Sequence, residues 1–185
     1  IVLLGGDNYR IGMGGGAVSS VATGEYGNAI ELNAIQRSNP EMQKRAMNAI
    51  RAMVEMDNNP IVSIHDHGAG GHFNCLSELL EETGGAIDTT KIPVGDPTLS
   101  EREILSNESQ ERMGLAIKEK DIPLLQRIAD RERSPMYVIG EATGDHNLVF
   151  GKPDESKKPI NFSVKHLLGS SPKTILTDLS AKPSY

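Results

Sequence analysis

Apolar residues recur along the chain at two different spacings, and the switches between them mark out its elements. Ile1 to Leu4 is a continuous apolar run that stops at Gly5-Gly6, the pattern of a buried strand entering a turn. From Pro40 the spacing becomes helical. Met42, Ala46, Ile50, Met53 and Val54 fall on one face, with Lys44, Arg45 and Arg51 off it. Asn39 suits the N-cap, Pro40 the first helical position and Glu41 the positive helix end. Asp57-Asn58-Asn59-Pro60 stops that helix. Ile61 to His65 predicts a buried strand, Phe73 to Glu82 a helix and Gly84 to Ile92 another strand. Thr98 to Leu105 predicts a short helix, Arg112 to Ile117 a strand, and Asp121 to Arg133 a helix with Ile122, Leu125, Ile128 and Ala129 inward. "MYVIGEAT" and "HNLVFG" read as two strands joined in a hairpin by the Gly144-Asp145 turn, and "INFSVKHLL" closes the pattern. Strands alternating with helices predict an α/β sheet domain.

Composition narrows the class of partner. At 185 residues the chain is long enough for one substantial domain and short for two. No apolar run approaches the eighteen or so residues of a membrane helix. A formal charge of −6 with both signs interspersed argues against a nucleic-acid or anionic-membrane surface. Four Tyr, three Phe and no Trp leave little for base stacking. Cys75 is the single cysteine, so an internal disulfide is impossible and a reducing cytoplasm is the expected setting. The chain opens inside an apolar run without an initiator Met and ends in the polar "SSPKTILTDLSAKPSY". The expectation is a piece of a longer polypeptide, with a domain over 1–172 and a linker over 173–185.

Three segments offer chemistry. In "SIHDHGAGGHFN", Asp66 follows a predicted strand and precedes a glycine turn into a helix. That puts it at a strand's carboxyl end, where α/β sheets bind ligands. A hard cation held there against a phosphate competes with two other readings: a plain turn in which Asp66 bonds nearby N–H groups, and zinc on His65, His67 and His72. Zinc is disfavoured because His65 and His67 point to one side of an extended strand and Asp66 to the other. Neither a cysteine pair nor HExxH spacing supports it. Otherwise His67 and His72 read as exposed polar residues. In "SNESQERMGLAI", Glu108 and Gln110 face the same way if the chain is extended, a geometry suited to an amide-bearing or hydroxylated ligand. The plainer reading there is a solvated strand entry with a Glu–Arg pair. Gln36 lies just before the helix at Asn39-Pro40, near its positive end. Gly12 to Gly16 suggests a phosphate cradle without matching a known fingerprint.

"GGDNYRIGMGGGAVSSVATG", "IQRSNPEMQKRAMNAI", "IVSIHDHGAGGHFN", "NESQERMGLAI" and "RERSPMYVIGEAT" occur in this order. Together they resemble the phosphoribosylformylglycinamidine synthases of purine biosynthesis, in their large single-chain form, over nearly the whole chain. The resemblance is to the second half of the first synthetase repeat. It implies a helix–sheet–helix layered α/β sandwich like the C-terminal domain of aminoimidazole ribonucleotide (AIR) synthetase. It also implies an ATP-dependent carbon–nitrogen ligase that takes ammonia from glutamine and makes formylglycinamidine ribonucleotide from formylglycinamide ribonucleotide.

Carried over position by position, the resemblance makes Asp66 a magnesium ligand and Gln36, Glu108, Ser109 and Gln110 substrate-binding residues. ATP is the co-substrate. The catalytic His and ATP-binding residues would lie in a preceding domain and the glutaminase Cys far downstream, so other domains of the same polypeptide are the expected partners. Cys75 lacks a nucleophile context, and His67 stands where the family varies and takes no role. The alternatives are a scaffold module without its own ligand site, or a related synthetase of the AIR synthetase and selenophosphate synthetase group.

Overall fold

The apolar run at the start of the chain is a central strand of a sheet. In the structure, a computed structural model, residues 1–6, 18, 21–34, 39–108, 111–169 and 173–177 are described. In chain order the elements are β1 (Val2–Gly5), α1 (Asn28–Ala34), α2 (Pro40–Val54), β2 (Ile61–Asp66), α3 (Gly71–Leu79), β3 (Gly85–Asp88), α4 (Glu101–Ser106), β4 (Arg112–Ile117), α5 (Ile122–Glu132), β5 (Met136–Val138), β6 (Gly140–Ala142), β7 (Asn147–Gly151), β8 (Ile160–Ser163) and α6 (Val164–Leu168). One sheet has the order β2-β4-β1-β5 and is antiparallel throughout. The other has the order β6-β3-β7-β8, with β3 and β7 parallel.

The alternation of β1 assigns its side chains to two cores. Val2 and Leu4 join Ala46, Ala49 and Met53 of α2 and Leu125, Ile128 and Ala129 of α5. Leu3 turns the other way, to Leu76, Leu79 and Leu80 at α3 and to Ile87, Leu148 and Phe150 of the second sheet. Phe73 of α3 meets Phe150 and Phe162 edge to face, with ring centroids 6.0 and 6.4 Å apart. The layers are therefore helix, sheet, helix, with the second sheet beyond α3. The α/β fold class follows from this layering. Each fully buried Leu or Val contributes roughly 1.5–3 kcal/mol, so a four-residue strand buried on both faces suffices to join the layers.

α2 forms as its caps dictate. Asn39 Oδ1 accepts from Met42 N at 3.1 Å, and Pro40 opens the helix. Its buried face is Ala46, Ala49 and Met53, while Val54 is exposed, because the helix ends at that residue and the stripe has rotated off the sheet. α5 follows the expected face closely.

Three expectations are corrected. The hairpin at Gly144-Asp145 does not form, because β3 lies between β6 and β7 and pairs with both. "MYVIGEAT" is two strands in different sheets, broken at the buried Ile139. The strand expected over 84–92 ends at Asp88, whose side chain accepts from Thr90 N and starts a 3-10 turn over Thr89–Lys91. The helix Asn28–Ala34 was not anticipated. The Gly12 to Gly16 segment lies outside the described residues. Among those described, no helix is long and apolar enough to cross a membrane.

Candidate functional site

β2 delivers alternate side chains to opposite layers, and this decides what its end can do. Ile64 packs with the α2 and α5 cluster, and Asp66, two residues on, shares that face. Asp66 lies beyond the apolar cluster and is exposed, with no hydrogen-bond or ion-pair partner among the described residues. It lines a cavity of about 420 Å³, whose apolar side is Ala46, Met47 and Ile50 of α2 and whose polar side is Asp66, His67, Glu111 and Arg112.

His65 and His67 turn toward α3, as alternation requires. His65 Nδ1 is 3.2 Å from Glu78 Oε2. His67 extends the ladder by one bond, its N–H donating to Arg112 O at 3.2 Å, and its ring enters the interior. There His67 Nε2 and His72 Nδ1 are 2.9 Å apart, with the rings edge to face. Arg112 Nη1 is 2.7 Å from His72 Nε2, and Arg112 Nη2 donates to Asn107 O at 3.0 Å. Exposure of His67 and His72 was expected; instead the first is 4% exposed and the second closed off entirely. Desolvation, reinforced by the Arg112 charge, pushes both imidazoles well below the usual histidine range. The zinc reading finds no support: among the described residues no group of three or more His, Cys, Asp or Glu side chains could hold a metal ion.

The glycines of the turn serve a chain-to-chain contact. Gly71 sits at φ +60°, and a Cβ there would stand 2.4 Å from Asn107 O. Beside it, Gly70 N donates to Glu108 Oε1 at 2.8 Å. Glu108 and Arg112 are each 2% exposed, so the solvated strand entry is overturned as well. Glu111, at the entry to β4, has a left-handed backbone at φ +62°. That residue joins three segments. Its Oε1 accepts from Asn39 N at 3.1 Å, and its carbonyl accepts from Gly6 N at 3.4 Å.

The structure thus brings Asp66, His67, Glu111 and Arg112 to one cavity and holds Glu108 against the adjoining turn. Gln36, Ser109 and Gln110 lie outside the described residues. Cys75 is buried, with its thiol pushed up to about 12 by desolvation, so it is inert at neutral pH. Sequence reasoning missed the buried His67–His72–Arg112 chain. A signal existed: His72, Cys75, Leu76 and Leu79 recur at helical spacing, which puts His72 on the buried face of α3.

Comparison with known proteins agrees with this architecture. The model of the family "AIR synthase related protein, C-terminal domain" matches residues 1–152. Phosphoribosylformylglycinamidine synthase of Saccharomyces cerevisiae is 42% identical over 176 residues, covering 94% of this chain and 13% of the yeast protein. The chain therefore spans about an eighth of that relative's length. Among solved structures, Thermotoga maritima PurL complexed with FGAR superposes with a TM-score of 0.80 at 24% identity, covering 99% of this chain and 30% of that one. The same protein complexed with ATP gives 0.73 at 22% identity, over 98% of this chain and 27% of that one. A chain of a HypE–HypF complex gives 0.55 at 18% identity, over 88% and 52%. At these identities the structural likenesses establish the fold.

Proposed function

This chain belongs to the AIR synthase related protein family, through that family's C-terminal domain, and on that premise we propose that it is a domain of a phosphoribosylformylglycinamidine synthase. In this reading residues 1–172 are the domain and 173–185 a linker, and the complete synthase works in the cytoplasm. Other domains of the same polypeptide supply ATP-binding and glutaminase functions. The reaction consumes formylglycinamide ribonucleotide, ATP and glutamine-derived ammonia. ATP phosphorylates the carbonyl oxygen of the glycinamide group, and ammonia then displaces phosphate at that carbon to leave the amidine, with the formyl group intact.

The observation that carries the reading is Asp66, an exposed carboxylate with no partner among the described residues, standing at a strand end on a cavity wall. Such a donor fits magnesium, which takes oxygen ligands and often only one or two carboxylates from the protein. When bound, the ion would neutralise charge on the transferring phosphoryl group. This chain's own part is positioning. Asp66 would hold the ion. Gln36, Glu108, Ser109 and Gln110 would orient the substrate. Glu108, with Oε1 on the Gly70 amide, would fix the segment carrying the last two against the turn.

The test is Asp66→Asn in the complete synthase, assayed for substrate-dependent ADP formation. The expected result is a loss of about a hundredfold or more in kcat/KM, with the melting temperature unchanged because the carboxylate holds nothing in the fold. Full activity in the variant would leave the scaffold reading in its place.

A further inference from the structure

Among the described residues, three that are not glycine have a positive φ: Glu111, Arg133 and His146. Arg133 ends α5, and His146 lies in the turn between β6 and β7. Glu111 instead opens β4, the strand into which the Glu108–Gln110 segment runs. A left-handed backbone on a residue with a Cβ persists only where its surroundings hold it, and such positions gather at ligand sites.

Two contacts hold Glu111. A Cβ on Gly5, the last residue of β1, would stand 2.1 Å from Glu111 O, so the two backbones touch, and Gly5 pairs with Arg112 in the sheet. The side chain is held from another direction. Glu111 Oε1 accepts from Asn39 N at 3.1 Å, across 72 residues of chain. Asn39 is the N-cap of α2, so its N–H is one that the helix itself leaves unused. That helix is in turn fixed by Ala46, Ala49 and Met53 in the core.

The other end of the segment is clamped separately. Asn107 O lies against Gly71 and accepts from Arg112 Nη2, and Glu108 Oε1 accepts from Gly70 N. These bonds tie the segment to the turn before α3, whereas the Glu111 carboxylate ties it to α2. Gln36 lies three residues before Asn39, and Gln110 directly precedes Glu111. A substrate gripped from both segments needs a fixed spacing between them.

We propose that Glu111 is a positioning residue. Its side chain, by accepting from Asn39 N, holds the segment before α2 in register with the segment before β4, so that both reach one formylglycinamide ribonucleotide. This rests on the synthase reading above.

The test compares Glu111→Gln and Glu111→Ala in the complete synthase, with separate KM values for formylglycinamide ribonucleotide and MgATP. Gln keeps an Oε1 acceptor at the same reach, and Ala removes it. The expected result is a KM for the ribonucleotide raised about tenfold or more by Ala and less than about threefold by Gln. The KM for MgATP should stay within about twofold in both variants, because the ATP-binding residues belong to another domain. A merely structural role predicts a lowered melting temperature with both KM values unchanged, and that result overturns the proposal. Equal effects of Gln and Ala overturn it too, since they would assign the effect to the charge and not to the hydrogen bond. So does a parallel rise in both KM values, the mark of a general distortion. If Ala fails to fold, Glu111→Gly takes its place, because glycine adopts a positive φ freely while still lacking the acceptor. If neither folds, Glu111 is a structural residue and the proposal falls. A wild-type synthase without substrate-dependent ADP formation overturns the functional reading itself, whereas an active one whose Ala variant keeps the wild-type KM overturns only the role of Glu111.

Discussion

At Gly71 the backbone takes a left-handed angle while passing within contact of Asn107, and no L side chain suits both demands. Gly71→Ala is therefore expected to destabilise the chain by about 2–4 kcal/mol in chemical denaturation. A loss below about 0.5 kcal/mol would mean the two segments are not clamped together. The buried imidazoles make a second prediction. Their folded-state pKa values lie below the ordinary 6.5, so below pH 6.5 the unfolded chain binds protons that the folded chain refuses. Stability from these groups is complete above about pH 6.5 and falls with acidification, at up to about 1.4 kcal/mol per pH unit for each histidine. Urea midpoints between pH 5 and 8 should rise toward neutrality, and His72→Gln should reduce the slope by about half; a slope unchanged in that variant would contradict the account. Asp66 was legible in the sequence, because a carboxylate between an apolar strand and a glycine turn has few places to go. The burial of His67 and Glu108 was not. It depends on Asn107 and Arg112 arriving across the turn from a distant part of the chain.

Elements with strong local signals were legible nearly to the residue. Asn39, Pro40 and the apolar stripe gave α2, and the Ile122 to Ala129 periodicity gave α5. Asn39→Ala should remove the cap and cost about 1 kcal/mol, read as a lowered denaturation midpoint. The backbone N–H of Asn39 would still reach Glu111, so the substitution isolates the cap. A midpoint unchanged within error would assign helix entry to Pro40 alone. The failed hairpin shows where local signals stop. Gly144-Asp145 turns the chain, but β3 takes the place between β6 and β7 and uses the inner edges of both. Turn chemistry registers a reversal and cannot report a third strand inserted from sixty residues away in the chain on the order of loop closure. The break within "MYVIGEAT" has a similar origin, since Ile139 must fill the core between two sheets that the sequence does not distinguish.

The whole molecule separates stability from chemistry. Its two cores lie on either face of the β2-β4-β1-β5 sheet. The polar cavity lies where β2 leaves the sheet, bounded by α2 and by the strained entry to β4 at Glu111. Glu111 ties Gly6 and Asn39 to that entry, so the segments that adjoin Gln36 and Ser109-Gln110 meet at one place although they are far apart in sequence. The central claim is that one carboxylate there carries a divalent cation. Manganese substituted for magnesium in the complete synthase reports this directly by electron paramagnetic resonance titration with substrate present. The account predicts that Asp66→Asn loses one bound manganese, or weakens it by at least about tenfold, while the fold melts at its usual temperature. Equal stoichiometry and affinity in the wild type and the variant would contradict it.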